Sequence, residues 1–158
     1  MNSNKNTENE TPFQIIGLEV VEVCFNEIKE SKRKRKDEVL TQNKFSFQIS
    51  LIQQADIKNN IIVVRPTIIV QSEDSKIEYA TITIKCVFVF KDLSPFLIDN
   101  ELDIPRKFTD RISSIAISSS RGIMFSELSP TYLKNAILPI IDVSLFEYNK
   151  MELDNIIN

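Results

Sequence analysis

Between Asn43 and Ala55, apolar and polar residues alternate: Phe45, Phe47, Ile49 and Leu51 share one parity, against Ser46, Gln48 and Ser50 on the other. A period of two specifies a strand with one buried face and one wet face, the habit of antiparallel sheets. Three further runs agree. Phe13 to Ile28, FQIIGLEVVEVCFNEI, carries Ile16, Leu18 and Val20 on one parity, then Val21, Val23 and Phe25 on the other. The switch near Val20-Val21 predicts a bulge or bend, eased by Gly17, and the valine and phenylalanine content favours strand over helix. Ile61 to Gln71, IIVVRPTIIVQ, is apolar on both parities, as for a strand covered on two sides. Pro66 lacks a ladder donor, so it belongs at a bulge or with its nitrogen facing outward. From Ile77 to Lys91, Ala80, Ile82, Ile84, Cys86, Phe88 and Phe90 oppose Tyr79, Thr81, Thr83 and Lys85. Asp56 to Asn60 and Ser72 to Lys76 supply turn residues. Four strands with short links most simply form an antiparallel meander.

After Asp92 the period changes. LSPFLIDNELDIP has two prolines and no repeat, and it reads as a crossing segment with Phe96 and Leu97 directed into the core. Asp103 is placed to cap a helix, with Pro105 in its first turn. Phe108, Ile112 and Ile115 follow at helical spacing, and Ile117 broadens the stripe. Ser113, Ser114, Ala116, Ser118, Ser119 and Ser120 give a low-profile surface that ends at Gly122, the expected helix stop. Such a helix either packs against a partner subunit or lies on its own sheet with a serine-rich solvent face. Ser129-Pro130 opens a short helical turn through Tyr132, Leu133 and Ile137, and Pro139 ends it. From Ser144, the residues Leu145, Phe146, Tyr148, Met151 and Leu153 predict a short amphipathic helix. The fold class is α+β: a four-stranded antiparallel sheet, a long helix and a shorter C-terminal helix. Residues 1–11 form a polar tail with little to bury, and 12–158 form one domain.

Composition then narrows the chemistry. The 158 residues are 42% hydrophobic and 26% charged, enough for one domain that needs no staples. With no histidine, a catalytic triad or histidine-ligated metal site is excluded. Two glycines cannot write a phosphate-cradling loop or a dinucleotide fingerprint. Cys24 and Cys86 sit in strand-like runs and read as buried thiols, too few for a thiolate zinc site. No metal and no cofactor are expected. Carboxylate or serine–lysine chemistry is left as an enzymatic alternative without a motif. The net charge of −3 disfavours nucleic acid as a partner. The local exception, SKRKRK from Ser31 to Lys36, has no interleaved aromatics and reads as a solvated loop rather than a nucleic-acid or anionic-lipid patch. The polar start, MNSNKNTENET, lacks the apolar core of a signal peptide, and no run reaches membrane-spanning length. The expectation is a cytoplasmic protein without membrane insertion.

Four strands, a crossing segment, a long helix, an extended apolar stretch and a last helix form an order that resembles the SecB family of protein-export chaperones. The details carrying the resemblance are Ile112-Ser113-Ser114, then Arg121-Gly122-Ile123-Met124-Phe125, then Leu138-Pro139-Ile140-Ile141-Asp142-Val143, and finally Leu145-Phe146. The resemblance implies an ATP-independent holdase that binds unfolded preproteins, or one that escorts the antitoxin of a toxin–antitoxin pair. It implies a dimer of dimers that packs the serine-rich helices between sheets through Ile112, Ser113, Ile115, Ala116 and Ser119. Phe45, Phe47, Phe125, Leu138, Ile140, Leu145 and Phe146 become candidates for a client groove. Glu73, Asp74 and Glu78 match the region where the family presents acidic side chains to a SecA-like motor.

Overall fold

The structure, a computed structural model, describes residues 13–26, 45–74, 76–99, 101–148 and 151–153. The expected tail at 1–11, the end of the first predicted strand at Glu27 and Ile28, and the basic segment Ser31 to Lys36 lie outside these residues. Four long strands form the body: β1 (Phe13–Phe25), β2 (Phe45–Asp56), β3 (Ile61–Ser72) and β4 (Glu78–Phe90). A short hairpin, β5 (Leu97–Ile98) with β6 (Glu101–Leu102), leads to the helix α1 (Arg106–Leu128), and β7 (Glu152–Leu153) closes the described chain.

The sheet order is β1-β4-β3-β2-β7. The short links predict a complete meander; instead only β2, β3 and β4 form one, and β1 joins antiparallel to β4. The reason is visible in side-chain pairing. Phe13 meets Phe90 and Phe88, with ring centroids 5.2 and 5.9 Å apart, and Val20 stands opposite Ile84. Aromatic and β-branched cross-strand pairs of this kind stabilise a sheet. The predicted irregularity in β1 is present twice, between Ile15 and Gly17 and between Val20 and Glu22. At Gly17 a Cβ would lie 3.2 Å from Val87 Cγ2, so glycine permits the close approach at the first bulge.

Pro66 stands opposite Leu51 of β2, while the pairing of β3 with β4 skips Arg65 and Pro66 and resumes at Thr67 without a shift. The missing donor therefore falls on the β4 side, and a hydroxyl pair between Thr67 and Thr83, 3.1 Å apart, continues the seam. The β2–β3 turn uses Asp56 as anticipated, its Oδ1 accepting from the Asn59 N–H at 3.1 Å. Asn60 adopts φ 56°, a left-handed conformation that asparagine tolerates.

One side of the sheet carries the core. Ile62, Val64, Ile68, Val70, Ile82, Ile84, Cys86 and Phe88 are buried there against Ile112, Ala116, Met124 and Leu128 of α1. Leu93 is buried in the place predicted for Phe96 and Leu97; Phe96 is half-buried against the Phe108 ring and Leu97 is exposed. Leu93 is held in place because its N–H donates to Asn60 Oδ1 at 2.8 Å.

The helix differs from expectation at both ends. It starts at Arg106 after Pro105, and neither Asp103 nor any other side chain caps it. It runs six residues past Gly122, since 128 − 122 = 6. A helical glycine costs about 1 kcal/mol relative to alanine. Burial of Met124 and Leu128 contributes more than that, about 1.5–3 kcal/mol for each side chain. The stop is at Ser129, whose N–H and hydroxyl both donate to the Phe125 carbonyl, and Pro130 cannot continue the ladder. Beyond it come successive i→i+3 turns through Ala136 rather than a helical segment.

The C-terminal helix predicted from Ser144 is absent from the described residues. Val143–Leu145 make a single 3-10 turn, and residues 146–148 continue without helix. Arg106 Nη2 donates to the carbonyls of Ser144 and Phe146, both at 2.8 Å, taking acceptors that an α-helix would use for its own ladder.

Candidate functional site

The sheet face under α1 is only partly covered. The helix lies over β3 and β4, so β1 carries its share of that face into solvent. Ile15, Leu18, Val20 and Phe25 point the same way as buried Phe13, yet each is exposed. At the two irregularities Ile16 and Val21 are exposed as well. The outer edge of β1 pairs with no other described strand. Along this side of the helix, Arg111 reaches over the Phe13 ring, with Cζ 5.9 Å from its centroid, and Ile115 is partly buried against the core. An apolar shelf thus runs between α1 and an open strand.

A second apolar surface follows the helix. The extended segment at residues 137–146 is tied along α1 by two arginines. Arg121 donates through Nε to the Leu138 carbonyl at 3.0 Å and through Nη2 to the Pro139 carbonyl at 2.8 Å. Arg106 holds the far end through Ser144 and Phe146, and it also pairs with Asp110 at 3.3 Å and lies over the Tyr148 ring. Between these ties Ile140 is 91% exposed and Leu145 80% exposed. Asp142 closes the 3-10 turn by accepting from the Ser144 N–H and hydroxyl, and those bonds hold its carboxyl below the ordinary range.

The groove candidates therefore divide. Ile140, Leu145 and Phe125 are exposed, while Phe45, Phe47 and Phe146 are half-buried against the core. Leu138, at 1% exposure, is a core residue; the Arg121 tie draws its backbone onto the helix and turns the side chain inward. The assembly candidates divide as well. Ile112, Ser113 and Ala116 are fully buried in the chain's own core, so they cannot present an outer surface. Their spacing is the stripe that faces the sheet, whereas the exposed small residues are Ser114, Ser118 and Gly122. Ile115 and Ser119 are half-buried. Glu73, Asp74 and Glu78 lie exposed at the β3–β4 turn and the start of β4. Of the cysteines, Cys86 is buried as expected but Cys24 is exposed, because it stands opposite Thr81 on the face of the sheet away from α1.

Sequence reasoning missed the two arginine ties and the exposure of β1. The only signal for the former was an arginine four turns of helix from another, which is common. Apolar parity in β1 gave no hint of exposure, because an uncovered apolar strand and a buried one share the same pattern.

A cavity of about 340 Å³ sits at the root of α1, lined in part by Gln53, Asp103, Arg106, Thr109 and Tyr148. Its polar groups are largely engaged with one another or with backbone. Gln53 Nε2 donates to Ser113 Oγ at 2.9 Å, Thr109 donates to the Arg106 carbonyl, and Arg106 is spent on Asp110 and the extended segment. Burial is the main influence that raises the Tyr148 hydroxyl pKa. The geometry orders a helix root and offers no paired nucleophile and base. Among the described residues no three His, Cys, Asp or Glu side chains gather as a metal site. Among them, too, no helix is long and apolar enough to cross a membrane.

By sequence, no family model and no curated protein matches the chain. By structure, it is similar to the Mycobacterium tuberculosis Rv1957 SecB-like chaperone, solved in complex with a ChAD peptide from the Rv1956 HigA1 antitoxin. The TM-score is 0.55 at 12% identity, covering 82% of this chain and 90% of that one. A Streptococcus agalactiae protein of unknown function is also similar, with a TM-score of 0.40 at 8% identity, covering 86% of this chain and 97% of that one. The antiparallel four-stranded sheet, the crossing segment and the single long helix lying on one face together make this an α+β protein with a SecB-like fold.

Proposed function

We propose that this protein is an ATP-independent holdase that binds unfolded or non-native polypeptide in the cytoplasm. The observation that carries the reading is the amount of large apolar surface left open on a SecB-like fold, on β1 and on the segment along α1. Contiguous apolar surface rimmed by polar residues suits binding of non-native chains. Ile140, Leu145 and Phe125, with Phe45, Phe47 and Phe146 at its margins, form the client surface on this reading; Leu138 supports it from beneath. The client class is either preproteins destined for export or the antitoxin of a toxin–antitoxin pair. The SecB-like neighbour's antitoxin peptide favours the latter. For export, Glu73, Asp74 and Glu78 would dock a SecA-like motor.

The protein works as a homo-oligomer on this reading. An open, apolar thirteen-residue edge strand invites pairing with another chain, and a second copy along β1 would cover Leu18, Val20 and Phe25. Ile115 and Ser119, with exposed Ser114 and Ser118, replace Ile112, Ser113 and Ala116 as the helix contribution to a dimer of dimers.

The test combines mass in solution with suppression of aggregation of a chemically denatured client at micromolar protein. A dimer or larger species that keeps the client dispersed without nucleotide is the expected result. A monomer that leaves client turbidity unchanged refutes the proposal.

A further inference from the structure

The cavity at the root of α1 holds a buried acceptor that the fold leaves unused. Gln53 of β2, 8% exposed, lines the cavity, and its Oε1 has no hydrogen-bond partner. A chain of hydroxyls fixes which end of this amide is free. Burial raises the Tyr148 pKa most, and a hydrogen bond from the Ser113 hydroxyl counteracts it. With its one proton turned to Tyr148, Ser113 accepts from Gln53 Nε2 at 2.9 Å, and Tyr148 donates onward to the Val143 carbonyl at 3.3 Å. Gln53 is therefore left with its oxygen, not its nitrogen, to offer. Buried polar groups are seldom left unpaired, so this one marks a place for a donor.

The rest of the wall adds acceptors and spent donors. Arg106 donates to Asp110 and to the carbonyls of Ser144 and Phe146, and Thr109 donates to the Arg106 carbonyl. Asp103 caps no helix, and its carboxylate meets no cation among the described residues. Asp110 balances Arg106, so Asp103 leaves one uncompensated negative charge on the wall. Leu102, Ile104 and Met151 make its apolar part.

We infer that this cavity binds a small primary amine, whose ammonium donates to Gln53 Oε1 and is balanced by Asp103, and whose hydrocarbon body lies against Leu102, Ile104 and Met151. An ammonium has three donors and no acceptor, which complements a wall of free acceptors. A carboxylate of the same shape finds no free donor there and is repelled by Asp103. The volume of about 340 Å³ equals roughly eleven water shares of about 30 Å³, room for a body of about ten non-hydrogen atoms. Because the wall is drawn from β2, α1 and the segment that ends in β7, the occupant also ties that last segment to the body. The inference is independent of the holdase reading.

The test uses the full chain with isotope-labelled methionine methyls, which gives three NMR signals, from Met1, Met124 and Met151. Of these only Met151 lines the cavity, while Met124 is fully buried against the sheet and reports folding. The probes share one skeleton: cyclohexylmethylamine, cyclohexylmethanol and cyclohexanecarboxylate, each titrated at neutral pH. The amine should shift the Met151 signal saturably, with half the effect at about 1 mM; the alcohol should bind about tenfold more weakly, and the carboxylate should give no shift. Asp103→Asn, on an exposed residue, should weaken the amine about tenfold and bring it level with the alcohol. Gln53→Leu should weaken amine and alcohol alike by about tenfold or more while Met124 keeps its folded signal. Equal binding of amine and carboxylate, or an alcohol that matches the amine in the unaltered protein, overturns the inference. So does the absence of a saturable shift with the amine, because water alone then fills the cavity. A Gly-Lys-Gly peptide that binds more tightly than the free amine overturns it too, since the occupant would then be a side chain of another polypeptide. Aggregation suppression without amine binding removes this inference and leaves the holdase reading standing; amine binding without suppression does the reverse.

Discussion

β1 and β4 are neighbours of equal length, thirteen residues each, and both are rich in valine, isoleucine and phenylalanine. Their surroundings are opposite. In β4 every second side chain from Ala80 to Phe90 is buried, while in β1 only Phe13 is. The difference arises from position and not from composition: β4 has strands on both sides and α1 above, whereas among the described residues β1 pairs with β4 alone and meets the helix at Phe13, under Arg111. An apolar pattern records a residue's preference for leaving water; it does not say whether its own chain supplies the cover.

The two cysteines break or sharpen this comparison most directly. Burial pushes the Cys86 thiol up to about 11, and Cys24 stands on the open strand. At pH 8 iodoacetamide should modify Cys24 readily and Cys86 only through opening of the fold, a rate ratio on the order of a thousand or more. Mass spectrometry of the timed reaction reads it, and comparable rates would mean that β4 is not covered by its neighbours and α1. Glu22 raises the Cys24 thiol, first by the hydrogen bond it accepts and then by its charge. A raised pKa means less thiolate at a given pH, so Glu22→Gln should speed the modification of Cys24.

In stability, Phe88→Ala at the fully buried centre should cost about 3–5 kcal/mol in urea unfolding, whereas Ile16→Ser on the open strand should change it by about 0.5 kcal/mol or less. A large loss at Ile16 in a dilute monomer would show that β1 is covered after all. Ser113→Ala leaves the buried Gln53 amide without its one bond, since Gln53 Oε1 already lacks a donor, and should cost about 1–2 kcal/mol. That compares a polar contact under α1 with the solvent-facing serines: Ser118→Ala should be close to neutral. A change of opposite sign concerns Gly122, which is helical and faces open space, so that a Cβ added there would meet nothing within 4 Å. Gly122→Ala should stabilise the helix by about 0.5–1 kcal/mol, read as a raised urea midpoint.

Much of the architecture was legible along the chain. The alternation at Phe45–Leu51 and Ala80–Phe90, the irregularity near Val20 and the stripe Ile112–Ala116 are local consequences of strand and helix periods, and the structure carries each of them. The candidate surface was legible in part. Ile140 and Leu145 are exposed, but Leu138, two residues from Ile140, is buried, and no period separates them, because an arginine fifteen or more residues earlier decides which way that backbone turns. The non-helical course of residues 143–148, where a helix was expected, has the same origin, in the carbonyls that Arg106 occupies.

The sequence by itself determined the elements with repeating local patterns, since side-chain period and backbone geometry are tied residue by residue. Only the tertiary structure decided that β1 pairs with β4, that α1 runs on to Leu128 and covers β3 and β4, and that the segment after it stays extended. Each of those depends on contacts between residues far apart in the chain, where burial and captured hydrogen bonds outweigh local preference.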